Sequence, residues 1–350
     1  MSSQELTRRE RRVLEAVIRS YVETAEPAGS RTLSRRFGLG VSPATIRNTM
    51  SDLEEKGFLF HPHTSAGRVP TNKAYRLYVD SLLSGPTIVV PERERLNEEM
   101  AGRGSSSPIE TILRRAAQTL GVLTQELGVA TGPRLDNSVL RRLELVRASS
   151  ERILMVLTLE GGVVRTVFVE VLGDIAETAL AEVAAVLNDR LGGLTLKEIR
   201  GSLGARLRDS VATNGGGGRE LLNIFVQEGE QLFDKAMPLS EDKLVFGQAS
   251  VLAEQPEFSA ANRMRRLIEL TDTPETLAEA LRRRGHTSGI SITIGTEHDD
   301  PRLDEFTVVT AEYHVGTVAG IIGVIGPTRM PYDKVISLVS HTSRLLNDIL

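Results

Sequence analysis

The tightest constraint on the fold lies between residues 38 and 57, where a glycine-rich turn leads into a helix with clear start and stop signals. Ser42 is a typical N-cap residue, and Pro43 suits the first helical position, where an N–H group has no intrahelical partner. Gly57 is placed to end the helix. The apolar positions between these ends recur at helical spacing: Ile46, Met50 and Leu53. A helix that follows a tight turn is therefore predicted.

Two further helices are predicted before this one. Thr7 and Glu10 form the capping-box pattern at the start of a helix expected over residues 7–24. Ser30 is expected to cap a second, short helix, which ends at the glycine-rich turn.

A hairpin is predicted after the third helix, because residues 58–60 and 68–70 read as short strands around a turn-rich loop. Three helices followed by a hairpin predict a winged helix-turn-helix within residues 1–83. This region holds 13 Lys/Arg and 9 Asp/Glu, whereas the rest of the chain holds 29 and 37. A local basic excess fits a domain that meets DNA phosphates, although chance clustering gives the same imbalance.

The composition excludes several classes of protein. With 350 residues, 40% of them hydrophobic and 25% charged, the chain is expected to form two or three globular domains. The absence of cysteine excludes disulfides, thiolate zinc sites, iron–sulfur clusters and cysteine nucleophiles. No apolar stretch is long enough for a membrane span, and the polar, basic start of the sequence lacks the apolar segment of a signal peptide. A cytoplasmic location is therefore expected.

The third helix is predicted to enter the major groove of DNA. In a helix-turn-helix, side chains near the start of this helix reach base edges or phosphates. Arg pairs with guanine and Asn with adenine, while Thr and Ala contact the thymine methyl group. The residues predicted to do so are Ser42, Ala44, Thr45, Arg47, Asn48 and Ser51. An ordinary solvated helix face has a similar composition and remains an alternative.

Two flanking segments are predicted to contact the DNA backbone, which positions a protein without selecting a sequence. On the second helix these residues are Ser30, Arg31, Arg35 and Arg36. In the hairpin, the residues predicted to contact phosphates or the minor groove are His63, Thr64, Ser65 and Arg68. A plain surface hairpin is the alternative reading.

The rest of the chain mixes strands and helices. Residues 84–107 are expected to form a linker that contains a charged helical stretch. Strands are predicted over residues 143–148, 153–159, 163–172, 290–294, 306–313 and 318–325, the first three as an antiparallel meander. Helices are predicted over residues 109–127, 176–191, 220–233 and 332–350. The helical block at 175–245 therefore interrupts the strands as an inserted subdomain.

The inserted block carries two apolar helical stripes that are predicted to form a dimer contact. The residues assigned to this contact are Leu180, Val183, Leu187, Leu221, Leu222 and Phe225. Either stripe could instead pack within its own subunit.

Catalytic and metal sites find no support in the sequence. His61 and His63 lack a third ligand, and the run of glycines at 215–218 is not followed by the Lys-Ser/Thr of a phosphate-binding loop. No nucleophile elbow, zinc-binding helix or carboxylate pair is evident. Neither enzyme activity nor a cofactor or metal is expected.

Three runs of residues closely resemble the HrcA family of heat-inducible repressors: VSPATIRNTMSDLEEKG at 41–57, PHTSAGRVPT at 62–71 and YRLYVD at 75–80. The resemblance implies an α+β, multidomain protein in which a GAF-like α/β domain is interrupted by an inserted, mostly helical dimerising domain. It also implies repression of chaperonin and other heat-shock operons at the CIRCE inverted repeat, with the GroEL chaperonin keeping the repressor active. Thr49 departs from the family, where an acidic residue is expected.

The expected domains are a DNA-binding domain at 1–83, a linker at 84–107, a GAF-like domain at 108–174 and 246–350, and the insertion at 175–245. The expected function is a homodimeric repressor that binds double-stranded DNA and no membrane. One alternative is a winged-helix repressor whose GAF-like domain senses a metabolite. Another, an enzyme with an accessory DNA-binding domain, would need a polar cluster after residue 108, and none stands out.

Overall fold

The computed structural model describes residues 6–63, 66–85, 90–100, 109–133, 135, 137–171, 173, 175–213, 216–235, 244–259, 261–272, 277–278, 281, 289–316 and 318–350. The chain divides into two compact units. The first unit combines Met1–Ala130, Leu244–Glu312 and Ile321–Ile349, and the second combines Thr131–Lys243 with Tyr313–Gly320.

The first unit begins with an amino-terminal region of helices and one hairpin. Its elements are α1 (Arg8–Thr24), α2 (Ser30–Arg36), α3 (Pro43–Glu55), β1 (Leu59–Phe60), β2 (Val69–Pro70) and α4 (Asn72–Leu83). The two strands pair antiparallel, with Leu59 opposite Pro70. Apolar side chains from all three opening helices are fully buried, among them Val17, Leu33 and Leu53. The predicted order of three helices and a hairpin is confirmed; α4 was not predicted.

Local capping explains where these helices begin and end. Thr7 and Glu10 form both hydrogen bonds of the capping box of α1. The hydroxyl of Ser42 accepts a hydrogen bond of 3.2 Å from the Thr45 backbone N–H at the start of α3, and Gly57, with φ of 76°, follows its end. The prediction for Ser30 is wrong: Gly29 is the N-cap residue of α2, and Ser30 lies inside the helix with its side chain buried.

The predicted linker contains a packed helix. This helix, α5 (Glu92–Met100), packs against α6 (Ile109–Thr124) and the last helix, α12 (Tyr332–Ile349). Leu96 of α5 is fully buried, and Lys334 of α12 forms an ion pair of 2.8 Å with Glu92. Residues 90–100 are therefore part of the first unit and not a free connection.

A five-stranded sheet forms the rest of the first unit, in the order β7-β3-β10-β9-β8. The strands are β3 (Leu127–Thr131), β7 (Leu244–Phe246), β8 (Ile290–Ile294), β9 (Phe306–Val315) and β10 (Val318–Pro327). Side chains of β3, β9 and β10 form one buried cluster with residues from α10 (Ser250–Ala253) and α11 (Ala261–Asp272).

Helix α6 ends three residues before its predicted end, and the chain continues into strand β3, which was not predicted. The helix stops at Thr124, Gln125 adopts a positive φ of 62°, and the chain turns into the sheet. Gly128 then passes so close to α6 that an added Cβ would lie 1.8 Å from the carbonyl oxygen of Ala117. Only glycine permits this approach of strand and helix.

The second unit packs a three-stranded sheet against helices. The strands β4 (Leu140–Ser149), β5 (Arg152–Leu159) and β6 (Val164–Glu170) form the predicted antiparallel meander. The helices are α7 (Glu177–Leu191), α8 (Leu196–Thr213) and α9 (Gly216–Lys235). Helix α8 was not predicted, and residues 216–218 begin a helix where a loop was expected; Gly215 lies outside the described residues.

The inserted unit is larger than the sequence indicated. Alternate side chains of β4, β5 and β6 share one buried cluster with α7, α8 and α9, so the meander belongs with the helices and not with the five-stranded sheet. The insertion accordingly begins near Thr131, where 175 was expected.

The predicted dimer contact is wrong for the same reason. All six side chains assigned to it lie in this cluster and are almost completely buried within one chain: Leu180, Val183, Leu187, Leu221, Leu222 and Phe225. Intramolecular packing, the alternative, is what the structure contains.

Within the described part of the chain, no helix is both long enough and apolar enough to cross a membrane.

Candidate nucleic-acid interface

Helix α3 has one buried and one accessible face. Ile46, Met50 and Leu53 face the core, as predicted. Thr49 is also buried, and its hydroxyl donates a hydrogen bond of 3.1 Å to the carbonyl oxygen of Thr45. The hydrogen-bonding capacity of the buried Thr49 hydroxyl is thus met within α3, and the position needs no charged partner. On the other face Ser42, Ala44, Arg47 and Asn48 are exposed, while Thr45 and Ser51 are half-buried.

The exposed polar groups of α3 are available for a ligand. In the described part of the chain, the side chains of Arg47 and Asn48 make no hydrogen bond or ion pair, whereas the Ser42 hydroxyl is used in capping. The structure therefore brings together the predicted base-reading residues on one accessible helix face.

Helix α2 presents some but not all of its predicted phosphate contacts. Arg31 and Arg35 are exposed and have no ion pair among the described residues. Arg36 is exposed too, but it forms an ion pair with Glu23 and lies 5.6 Å from the ring centre of Phe37. Ser30 is buried, so its side chain cannot contribute to the accessible surface.

The hairpin offers fewer cations than predicted. His63 is exposed, and Thr64 and Ser65 lie outside the described residues. Arg68 is 13% exposed and forms an ion pair of 2.9 Å with Glu54 of α3. Its backbone forms a bridge with Ala28 through hydrogen bonds of 2.9 and 3.0 Å. Arg68 therefore anchors the hairpin to the helices, where contact with DNA was expected.

Glu54 joins α3 to the hairpin through a second partner. His61 lies in hydrogen-bond contact with it, with 2.6 Å between the imidazole Nδ1 and the carboxylate. The hairpin is thus fixed against the end of α3 by two side chains that converge on one acid.

Three arginines that were not predicted from the sequence lie beside α3, on the side that faces α1. Arg8, Arg9 and Arg12 of α1 are exposed and line a groove of about 800 Å³. The other walls of the groove are Leu39 and Val41 of the turn and Thr49 and Asp52 of α3. The sequence signal that could have identified these arginines is the basic run at the start of α1. The capping pattern predicts only that a helix begins there.

Glu10 ties the start of α1 to α3 beside this groove. Its carboxylate accepts a hydrogen bond of 2.6 Å from Lys56 Nζ. This hydrogen bond, followed by the one from the Thr7 backbone, lowers the pKa of Glu10. The acid is consequently charged and paired at neutral pH.

A second cavity, of about 520 Å³, lies between the amino-terminal region and the five-stranded sheet within the first unit. Its lining includes Tyr21 and Tyr75, Phe306, and the paired Glu257 and Arg329. The buried Tyr75 hydroxyl has no hydrogen-bond partner among the described residues. Arg329 also donates a hydrogen bond of 2.6 Å to the carbonyl oxygen of Val22 at the end of α1.

Comparison with known proteins identifies the family. The family model for the HrcA protein C terminal domain matches residues 110–336. Heat-inducible transcription repressor HrcA of Chlorobium chlorochromatii (strain CaD3) is 37% identical over 351 residues, covering 100% of this chain and 99% of the relative. The chain belongs to the HrcA family. The protein of the same name from Chlorobium phaeobacteroides (strain BS1) is 39% identical and covers 99% of both chains.

Membership of the HrcA family establishes a heat-inducible transcriptional repressor and not an enzyme. A solved structure, described as a hypothetical protein at 2.2 Å resolution, is similar to this HrcA protein with a TM-score of 0.67. It is 23% identical and covers 99% of this chain and 98% of its own, which supports the fold alone.

Proposed function

We propose that this repressor binds the CIRCE inverted repeat upstream of chaperonin and other heat-shock operons, as a homodimer in the cytoplasm. The amino-terminal region acts as a winged helix-turn-helix, with α3 in the major groove and β1 and β2 as the wing. The observation that carries the proposal is the accessible face of α3, where Arg47 and Asn48 stand next to Ala44 on a helix held by a fully buried core. Arg and Asn are the side chains that read guanine and adenine through paired hydrogen bonds.

Contacts between α2 and the DNA backbone would fit the same orientation of α3 in the major groove. Arg31 and Arg35 lie one helix before α3, where a helix-turn-helix crosses the phosphate backbone. These contacts supply affinity for any duplex, and α3 supplies the preference for one sequence.

The direct test is binding of the full chain to an inverted-repeat duplex and to a scrambled duplex of equal length over a series of salt concentrations. We expect tighter binding to the inverted repeat and a logarithmic salt slope of about −0.9 for each phosphate neutralised. Equal affinity for both duplexes would contradict sequence-specific repression.

For the homodimer we propose the uncovered face of the β4-β5-β6 sheet. Val146, Leu154 and Phe168 form one row across the three strands. Val146 and Phe168 are 51% and 56% exposed, and Val164, also on β6, is 53% exposed. Helices cover the opposite face. A second copy of this chain is the partner proposed for this face, because the two half-sites of an inverted repeat are bound by two DNA-binding domains related by two-fold symmetry.

The five-stranded sheet with its helices is the proposed GAF-like domain, and GroEL is the proposed modulator that maintains the active repressor. Operator occupancy measured with and without the chaperonin at rising temperature tests this part. Occupancy that never responds to chaperonin would contradict it.

Control by a small effector is the second candidate function. The cavity of about 520 Å³ favours it, since it has apolar, aromatic and charged walls and an unpartnered buried hydroxyl. A metabolite that bound there would raise the melting temperature of the free protein by mass action. A metabolite library screened by thermal shift on the full chain, with Tyr75→Phe as the matched variant, separates this candidate from control by chaperonin.

A further inference from the structure

We infer that Arg8, Arg9 and Arg12 form a second contact with the DNA backbone, on the side of α3 that faces α1. The inference rests on the proposed DNA binding and names residues beyond those that the sequence pattern of a helix-turn-helix assigns. We call these three residues and the groove they line the α1 basic groove.

The position of the groove is the first reason. One of its walls is α3 itself, through Thr49 and Asp52, and another is the turn that leads into α3, through Leu39 and Val41. A helix seated in the major groove, which is about 12 Å wide, has a phosphate backbone along each side. Side chains that border α3 beside Thr49 and Asp52 are therefore placed to meet one of these backbones.

The free charge of the three arginines is the second reason. Their guanidinium groups are exposed and make no hydrogen bond or ion pair among the residues that the structure describes. The acid between them, Glu10, is already neutralised by Lys56 at 2.6 Å. Asp52 alone offsets the cations within the groove lining. The net charge of the groove favours an anion, and a phosphate backbone supplies a row of them.

The hairpin provides the contrast that makes the assignment specific. Its predicted cation, Arg68, is paired with Glu54 and is largely buried. In the hairpin, the guanidinium group of Arg68 is used in an ion pair that holds the fold together. On α1, the guanidinium groups of Arg8, Arg9 and Arg12 make no ion pair among the described residues. The cations available for sequence-independent affinity therefore lie on α1 as well as on α2.

The test replaces all three arginines in the full chain, as Arg8→Gln, Arg9→Gln and Arg12→Gln together. Binding to the inverted-repeat and scrambled duplexes is then measured over salt concentrations. We expect the salt slope to become shallower by about 1 for each arginine–phosphate interaction removed, so by about 2 to 3 in total. The affinity for both duplexes should fall by the same factor, because phosphate contacts carry no sequence information.

A matched control removes the same charge elsewhere in the first unit. Arg19, Arg114 and Arg265 are exposed and do not line the groove. Their triple replacement by Gln should leave the slope within about half a unit of the wild-type value, since only direct contacts release counterions in proportion. A second variant, Arg8→Lys, Arg9→Lys and Arg12→Lys together, keeps the charge and should retain the wild-type slope.

Three results are decisive. An unchanged slope in the groove variant, or an equal change in the control variant, overturns the inference and leaves the proposed function standing if the inverted repeat is still preferred. Wild-type protein that binds both duplexes equally overturns the proposed function, while the slope still tests the groove. Wild-type protein that binds neither duplex overturns both. Circular dichroism and the melting temperature of each variant check that it is folded. Substitutions at three exposed positions should not unfold the protein.

Discussion

At the scale of the residue, Arg47 should decide which sequence is bound. Its side chain is exposed near the start of α3 and makes no hydrogen bond or ion pair among the described residues. Arg47→Ala should reduce the preference for the inverted repeat over a scrambled duplex by about 1 to 3 kcal/mol, the value of a paired base contact. Arg35→Ala is the matched comparison, because it should weaken both duplexes alike. A preference ratio that survives Arg47→Ala would remove Arg47 from the reading face.

Glu126 is a buried acid whose effect on stability should depend on pH. Burial raises its pKa well above the usual range, and Gln255 contacts it at 3.3 Å. A raised pKa in the folded state means that the acid contributes fully below its unfolded pKa of about 4.3 and that stability falls as pH rises through the folded value. Glu126→Gln should therefore melt close to wild type near pH 4.5 and above wild type at pH 7.5. Glu15→Gln, at an exposed position, should show no such divergence; a constant difference between wild type and Glu126→Gln across pH would contradict the prediction.

At the scale of the element, the start of α1 depends on Glu10 in two ways. Glu10→Ala removes both the capping box and the ion pair with Lys56 and should lower the free energy of unfolding by about 1 kcal/mol or more. Glu10→Gln keeps the capping geometry and removes only the charge, so it should cost less. Because the pKa of Glu10 is lowered in the fold, the contribution of its charge is present above the unfolded pKa and disappears as pH falls through the folded value. Denaturant unfolding at pH 7 and pH 3 checks this: the difference between wild type and Glu10→Gln should shrink at pH 3.

Elements with local signals could be predicted from the sequence, and those fixed by distant contacts could not. Caps and periodicity were enough for α1, α3 and the β4-β5-β6 meander. Strand β3 was not predicted because Leu127 continues the apolar spacing of α6, whereas the left-handed conformation of Gln125 ends the helix and Gly128 lets the strand pass close to it. Arg68 was assigned to DNA because the acid that binds it, Glu54, lies on another element, before the hairpin. An apolar stripe does not specify its partner, which is why the helices of the insertion were assigned to a dimer and not to their own sheet.

At the scale of the whole molecule, the uncovered face of the β4-β5-β6 sheet should control assembly. Phe168→Asp places a charge on the apolar row of Val146, Leu154 and Phe168 and should convert the proposed homodimer to a monomer in sedimentation. Affinity for the inverted repeat should then fall by about 10²-fold or more, because the second half-site is no longer bound intramolecularly. Arg208→Asp, at an exposed position of α8, is the control and should remain dimeric. A Phe168→Asp protein that stays dimeric with full affinity would place the contact on another surface.

The interrupted order of the first unit has a consequence for synthesis on the ribosome. Strand β3 emerges early, but β10, one of its two neighbours in the sheet, lies near the other end of the chain, with most of the second unit between them. At elongation rates of about 5 to 20 residues per second, the roughly 200 intervening residues take on the order of 10 to 40 seconds to appear. During that interval most of the second unit can fold, while β3 can pair only with the short strand β7 until β10 appears. Until β10 appears, apolar side chains of the first unit are therefore accessible to any protein that binds exposed apolar segments. The position of the insertion in the chain sets the length of this period.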